Sequence, residues 1–353
     1  MKKVTSSDVA RLAGVSQSTV SLILNKKSTF SDETCERVYA AAQQLGYRLP
    51  AHGEDEHAPR RQLIVVLMHT MSNMYYSMLA ECIEQYAESC GYRVIVCNMF
   101  RKAELEKYYL ELSDQVRAQG VIYTFLPNFP RMVERMSKTM PMVLVGEKTA
   151  EVAIPSVETS NVKEGALMAE YLIKRGHQNF AFLSTPSNNV TMSRQGRLEG
   201  IRQKLAEYGL EKNLTVRYWP DDVEFETVGG KPYEYEVGRQ LALQLVDGGC
   251  KATAYIGVND STALGVLNAF QQRGLRVPED YAVCGFDNIF LSQVSVPPLT
   301  TVDHLLDVRG RAAVDLIFAQ AGIKVNGSSM TQMVKKIEYE SKLVVRGSTE
   351  KGK

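Results

Sequence analysis

From residue 62 onward, short apolar runs alternate with stretches of helical spacing, and this alternation restricts the possible folds more than any other feature of the chain. LIVVLM is apolar without a break, the mark of a strand buried on both faces. Met78 to Cys90 follows at helical spacing, then the strand YRVIVCNM, a helix from about Glu104 to Arg117, the strand GVIYTFL, a short helix and the strand PMVLVGE. A second set begins after about Asn161 with the helix GALMAEYLIKRG, the strand FAFLST and the helix RLEGIRQKLAEYG, and runs on through YAVCGFDN. The tail returns with PLTTVDH, the helix RGRAAVDLIFAQ and a last strand, KLVVRG. Strands alternating with helices predict an α/β fold with a doubly wound parallel sheet, and two such sets predict two lobes. Ligands of open sheets of this kind sit beyond the C-terminal ends of the strands.

The first part of the chain has another character. TSSDVARLAGVSQSTVSLILN, from Thr5 to Asn25, reads as two short helices around a tight turn. Thr5 and Asp8 occupy the positions of a capping box, and Val9, Ala10, Leu12 and Ala13 are the expected buried side of the first helix. Gly14 permits a left-handed turn, and Ser16 is placed to cap a second helix from Gln17 to about Asn25. Val20, Ile23 and Leu24 then face inward, leaving Gln17, Ser18 and Ser21 exposed as a major-groove reader requires. Lys2, Lys3, Arg11, Lys26 and Lys27 stand here against Asp8 alone, in a chain whose net charge is +1. Such a patch suits a polyanion.

At the residues VARLAGVSQSTVSLILN and SDETCERVYAAAQQLGY, the chain closely resembles the DNA-binding headpiece of the lactose/galactose repressor (LacI/GalR) family. GVNDSTALGVLNAFQQRGLRVPEDYAVCGFDN, PLTTVDH and LVVRGST extend the resemblance over nearly the whole chain, except the linker and the loop from about residue 221 to 231. The resemblance implies a helix-turn-helix headpiece over residues 1–50, an atypical acidic hinge over 51–61, and an effector-binding and dimerisation core over 62–353. The core should resemble the periplasmic sugar-binding proteins, with an N-lobe of about 62–160 and 293–323 and a C-lobe of about 161–292 and 324–347. A third headpiece helix is expected, capped by Ser31, with Asp32 and Glu33 near its positive end and a stripe of Val38, Ala42 and Leu45.

By the same resemblance, Gln17, Ser18 and Leu22 read bases, while Thr5, Ser16, Ser21, Asn25 and Thr34 touch phosphates. Leu22 departs from members with a polar residue there and offers only apolar contact. Asn73, Met74, Tyr75, Thr124, Arg197, Asn259 and Asp287 match effector-contacting positions. An arginine fork and a carboxylate together suit vicinal hydroxyls, so the implied effector is a small polar molecule such as a sugar. Read without the resemblance, Arg197 is also consistent with a surface ion pair and Asp287 with a turn residue. Gly146 falls where sugar-binding members can carry an acid, Ser160 replaces the usual aspartate before Asn161, and Phe225, Tyr233 or Tyr235 could supply an aromatic lid. The implied protein is a transcriptional repressor, binding an approximately palindromic double-stranded operator as a homodimer under allosteric control by its ligand. No heptad run follows the last strand, which favours a dimer over a zipper-linked tetramer.

Other classes fit less of the chain. An enzyme needs a nucleophile–base set, a phosphate-binding loop or metal ligands at usable spacing, and His69, His177 and His304 stand isolated. No cofactor or metal is expected; His52 and His57, five residues apart in an acidic segment, are a weak ligand pair. A free solute receptor accounts only for the core and should carry a secretion signal, whereas the N-terminus has no apolar h-region and no run approaches transmembrane length. A cytoplasmic location follows as the expectation. Cys35, Cys82, Cys90, Cys97, Cys250 and Cys284 are scattered, as reduced thiols would be.

The linker PAHGEDEHAPRR departs most from the family. Members normally continue with a short hinge helix whose leucine enters the minor groove. Here Leu49 precedes Pro50, and Glu54, Asp55 and Glu56 would be repelled by phosphate. An extended linker and a less bent operator are expected.

Overall fold

The computed structural model describes residues 4–24, 30–45, 47, 62–147, 151–186, 192–220, 227–228, 231–323 and 335–350. They fall into two compact units that divide between residues 59 and 60. Asn25 and the linker of residues 51–61 lie outside the described residues.

The first unit consists of α1 (Ser6–Ala13), α2 (Gln17–Leu24) and α3 (Asp32–Gln44). A capping box starts α1, with the Asp8 carboxylate accepting from both the amide and the hydroxyl of Thr5, at 2.9 and 2.7 Å. Gly14 ends it in the left-handed conformation at φ 67°, and Ser16 Oγ accepts from the Thr19 amide at 3.1 Å to start α2. The core gathers Val9, Ala10 and Ala13 with Val20, Ile23 and Leu24 and, from α3, Val38, Ala41 and Ala42. Leu12, expected inside, is 46% exposed. At 100° per residue it lies roughly 100° round the helix from the centre of the Val9, Ala10 and Ala13 stripe.

In the second unit the elements run β1 (Leu63–Met68), α4 (Met74–Ser89), β2 (Arg93–Asn98), α5 (Ala103–Gln115), β3 (Gly120–Tyr123), α6 (Pro130–Met136), β4 (Met142–Glu147) and β5 (Ser156–Thr159). There follow α7 (Asn161–Lys174), β6 (Phe180–Ser184), α8 (Met192–Glu207), β7 (Leu214–Tyr218), β8 (Thr227–Val228), β9 (Lys231–Pro232), α9 (Tyr233–Asp247), β10 (Ala254–Gly257) and α10 (Asp260–Gln272). The last are β11 (Ala282–Cys284), α11 (Phe290–Val294), β12 (Thr301–Asp303), α12 (Leu306–Gln320), β13 (Lys336–Glu338) and β14 (Lys342–Val344). Helices begin earlier than apolar spacing alone predicts, because polar residues cap them: Asn73 Oδ1 accepts from the Tyr75 amide ahead of α4, and Ser160 Oγ from the Lys163 amide ahead of α7.

Among the described residues, the N-lobe sheet has the order β13-β5-β4-β3-β1-β2 and the C-lobe sheet β11-β10-β6-β7. Their strands pair in parallel, Leu67 opposite Tyr123 in the first and Ile256 opposite Phe182 in the second. Each sheet carries apolar clusters on both faces, which is why its strands read as unbroken apolar runs.

The structure corrects two expected lobe boundaries. β12 pairs antiparallel with β14, and Val302 packs beside Phe286 in the C-lobe core, so the stretch assigned to the N-lobe from residue 293 remains with the C-lobe through β12. β13 lies in the segment assigned to the C-lobe from residue 324, yet it pairs with β5 at the edge of the N-lobe sheet, Ile337 opposite Val157. A three-residue edge strand with one inward apolar residue leaves little periodic trace. The chain therefore passes between the lobes after β5, after β12 and after β13.

Candidate functional site

The C-terminal ends of the strands of both lobes face one cleft of about 530 Å³, part of it open to solvent. Thr124 follows β3, Asn259 follows β10 and Asp287 follows β11, while Asn73 and Tyr75 stand at the start of α4. With Arg197 of α8, these sequence-singled residues line the same cleft; Met74 does not.

Arg197 is the centre of a buried network. Its Nε donates to Asn161 Oδ1 at 2.8 Å, its Nη1 to the Val258 carbonyl at 2.7 Å and its Nη2 to Asp287 Oδ1 at 3.0 Å. The guanidinium also lies 4.8 Å from the centroid of the Phe286 ring. His304, which sequence reasoning left as an isolated histidine, stands directly behind, with Nδ1 3.0 Å from Glu164 Oε1 and Nε2 3.1 Å from Asp287 Oδ1. Burial opposes its charge, but the two carboxylates outweigh burial and hold the imidazole above its ordinary value. Burial likewise opposes ionisation of Glu164, yet His304, Arg197 and the Ser341 hydroxyl hold its carboxyl down at about 2.

A second network joins the lobes across the cleft. Glu234 of α9 pairs with Arg194 through Oε1, while its Oε2 accepts from Asn73 Nδ2 of the N-lobe at 3.0 Å and from Asn259 Nδ2 at 2.7 Å. The amide oxygens of Asn73 and Asn259 meanwhile cap α4 and α10, so both side chains are fixed at both ends. On the N-lobe side, Arg309 of α12 donates to the Tyr75 hydroxyl at 3.2 Å and to the Gly146 carbonyl at 3.3 Å.

Of the expected lid aromatics, Tyr233 is packed into the C-lobe core and Tyr235 does not line the cleft, whereas Tyr75 and Tyr76 do; Phe225 lies outside the described residues. Asn161, Arg194, His304 and Arg309 line the cleft and escaped sequence reasoning, as did Glu234, which bonds to Asn73 and Asn259. The one available signal was Arg309 itself, a charge on a helix whose other faces are largely apolar.

The loop that carries Asp287 is tied down by a buried acid. Asp287 and Asn288 have φ of 113° and 50°, conformations that persist only where their surroundings enforce them. Asp260 Oδ2 accepts from the Ile289 amide at 3.0 Å, and its Oδ1 lies 2.6 Å from Thr301 Oγ1. Burial, then the nearby Asp287 charge, pushes its carboxyl from 3.8 up to about 8, so it is protonated at neutral pH. The unfolded chain releases that proton at ordinary acidity. This contribution to stability is therefore complete below about pH 4 and is lost as pH rises through about 8. Asp260→Asn keeps an acceptor for the Ile289 amide and a donor for Thr301, and it is expected to flatten the decline in Tm between pH 5 and 8.5. Equal slopes in the two proteins would mean that Asp260 is ionised in the fold.

In the first unit, Ser16, Gln17, Ser18, Ser21 and Leu22 are exposed along the start and one side of α2, and Thr5 is exposed ahead of α1. Gln17 is held from α1, its Nε2 donating to Ser6 Oγ at 3.0 Å and its Oε1 accepting from Ser7 Oγ at 3.1 Å. Ser16 Oγ lies 3.0 Å from Ser18 Oγ. Thr34, at the start of α3, is half-buried with its hydroxyl 2.8 Å from that of Ser31.

Residues 5–49 match the family model of bacterial regulatory proteins of the lacI family, and residues 169–349 match that of a periplasmic binding protein-like domain. The chain is 31% identical over 315 residues to the ribose operon repressor of Escherichia coli, covering 89% of this chain and 92% of that one. It is 28% identical over 353 residues to the HTH-type transcriptional regulator DegA of Bacillus subtilis, covering 98% of each. Among solved structures, the lac repressor dimer bound to operator and the anti-inducer ONPF is similar over 99% of both chains, with TM-score 0.69 and 27% identity.

Proposed function

Because this chain belongs to the lacI family of bacterial regulatory proteins and is a DNA-binding transcriptional regulator, we propose that it works as a homodimeric repressor whose hold on an approximately palindromic operator is set by a small polyhydroxylated ligand in the cleft. The observation that carries this reading is the convergence of Arg197, Asn259 and Asp287 from the C-lobe with Asn73, Tyr75 and Thr124 from the N-lobe on one polar cleft. The bonds of Asp287 to Arg197 and His304 both use Oδ1, which leaves Oδ2 as an acceptor for a hydroxyl. Ligand contact by Met74 is not part of this reading.

Residues 1–50 act as the headpiece and the second unit as the effector-binding core, with residues 51–61 between them. Gln17, Ser18 and Leu22 face base edges, while Thr5, Ser16, Ser21, Asn25 and Thr34 hold phosphates. Phe290, Leu291, Val294 and Val296 form an exposed apolar run on the core, of the kind that a second copy covers. The Asn73–Glu234 contact spans the lobes, so a ligand that competes for Asn73 or Asn259 shifts the balance between two lobe arrangements. We place the protein in the cytoplasm, acting without catalysis. No helix among the described residues is long and apolar enough to cross a membrane. A solute receptor without a DNA-dependent role would leave the first unit unexplained.

The test is binding to a duplex selected from random sequence. A dimer per duplex and an affinity that falls steeply with salt are expected. A monomer on DNA by sedimentation, or a flat salt response, would contradict the reading.

A further inference from the structure

Outside the Arg197 network, Arg309 stands apart. It is 1% exposed, lines the cleft floor, and forms no ion pair among the described residues. Its Nε has no hydrogen-bond partner, and its two bonds, at 3.2 and 3.3 Å, run to a phenol and a carbonyl, neither of which carries charge. Arg194 and Arg197, by contrast, are paired with Glu234 and Asp287. A buried guanidinium without a counter-charge is costly, and Arg309 also stands in the first turns of α12, where the helix dipole disfavours a cation. Beside it, a Cβ built on Gly146 would meet nothing nearer than Leu144 Cδ1 at 4.0 Å, so there is open space next to the carbonyl that Arg309 touches.

We propose that the effector is a polyhydroxylated monoanion, a sugar acid, whose carboxylate supplies the missing counter-charge to Arg309 while its hydroxyls meet Asp287 and Asn259. This rests on the cleft being the effector site. A single unpaired cation matches a single negative charge; a phosphate dianion would leave one charge buried without a partner.

The experiment compares matched pairs by thermal shift and calorimetry on the full chain: D-gluconate against D-glucitol, and D-glucuronate and D-galacturonate against D-glucose and D-galactose, with D-glucose 6-phosphate as the phosphate arm. In at least one pair the acid should bind about 10- to 100-fold more tightly than its neutral partner, the range for a charge-assisted hydrogen bond. Arg309→Met should erase that difference and raise the Tm of the ligand-free protein, because it removes an uncompensated buried cation. Arg309→Lys, which keeps the charge without the fork, should retain part of the preference. Equal responses to acid and neutral members, including no response to either, overturn the inference, as does a stronger response to the phosphate. Neutral sugars that bind with Arg309→Met unaltered would leave the cleft an effector site and remove only the acid. Binding that survives both Arg197→Ala and Arg309→Met would lie outside the cleft and remove both readings.

Discussion

The chain shortened to residues 62–353 is expected to lose at least about 1,000-fold in affinity for its selected duplex, the usual gap between specific and non-specific binding. The reason is local. The exposed short polar side chains of α2, from Gln17 to Ser21, sit on a unit with its own core of Val9, Val20, Ile23 and Val38, and Lys2, Lys3, Arg11, Lys26 and Lys27 stand around them in sequence against Asp8 alone. The core unit has its own sheets and apolar clusters, so its Tm should remain close to that of the full chain. Retained DNA affinity in the shortened chain would move recognition into the core and undo the assignment.

Arg197→Ala is expected to destabilise the core by about 3–5 kcal/mol, the cost of breaking a buried ion pair from one side. Among the described residues, Asp287 and Glu164, both buried, would keep only His304 at ion-pair distance, and Asn161 and the Val258 carbonyl would lose a donor. For a unit of this size the corresponding fall in Tm is about 5–15 °C, with the ligand-induced shift lost as well. Arg197→Lys should fall between the two, since it keeps the charge but cannot reach all three acceptors. A change below about 0.5 kcal/mol, typical of a surface substitution, would mean that the guanidinium is solvated rather than central.

What the sequence made legible follows from local physics. LIVVLM and FAFLST announced β1 and β6 because parallel strands covered on both faces must be apolar throughout, and the headpiece was readable from Thr5, Asp8, Gly14 and Ser16 because caps and turns act over three or four residues. Family resemblance, not periodicity, singled out Arg197, Asn259 and Asp287 as a set. What escaped is non-local. Glu164 and His304 meet across 140 positions and Asn73 and Glu234 across 161, and no spacing rule reaches so far. Arg309 was not singled out, although α12 is buried on most of its surface. β13 was invisible because KIE has neither an apolar run nor a flanking turn signal.

The central claim is that the cleft and the headpiece are coupled, and one measurement addresses it directly: the operator affinity of the full chain with and without a saturating compound that raises the Tm of the core. The account predicts a change of about 5- to 150-fold in either direction, and the same factor in the compound's affinity when operator is present. A compound that binds the cleft, as shown by loss of its thermal shift in Arg197→Ala, yet leaves operator affinity unchanged would contradict it.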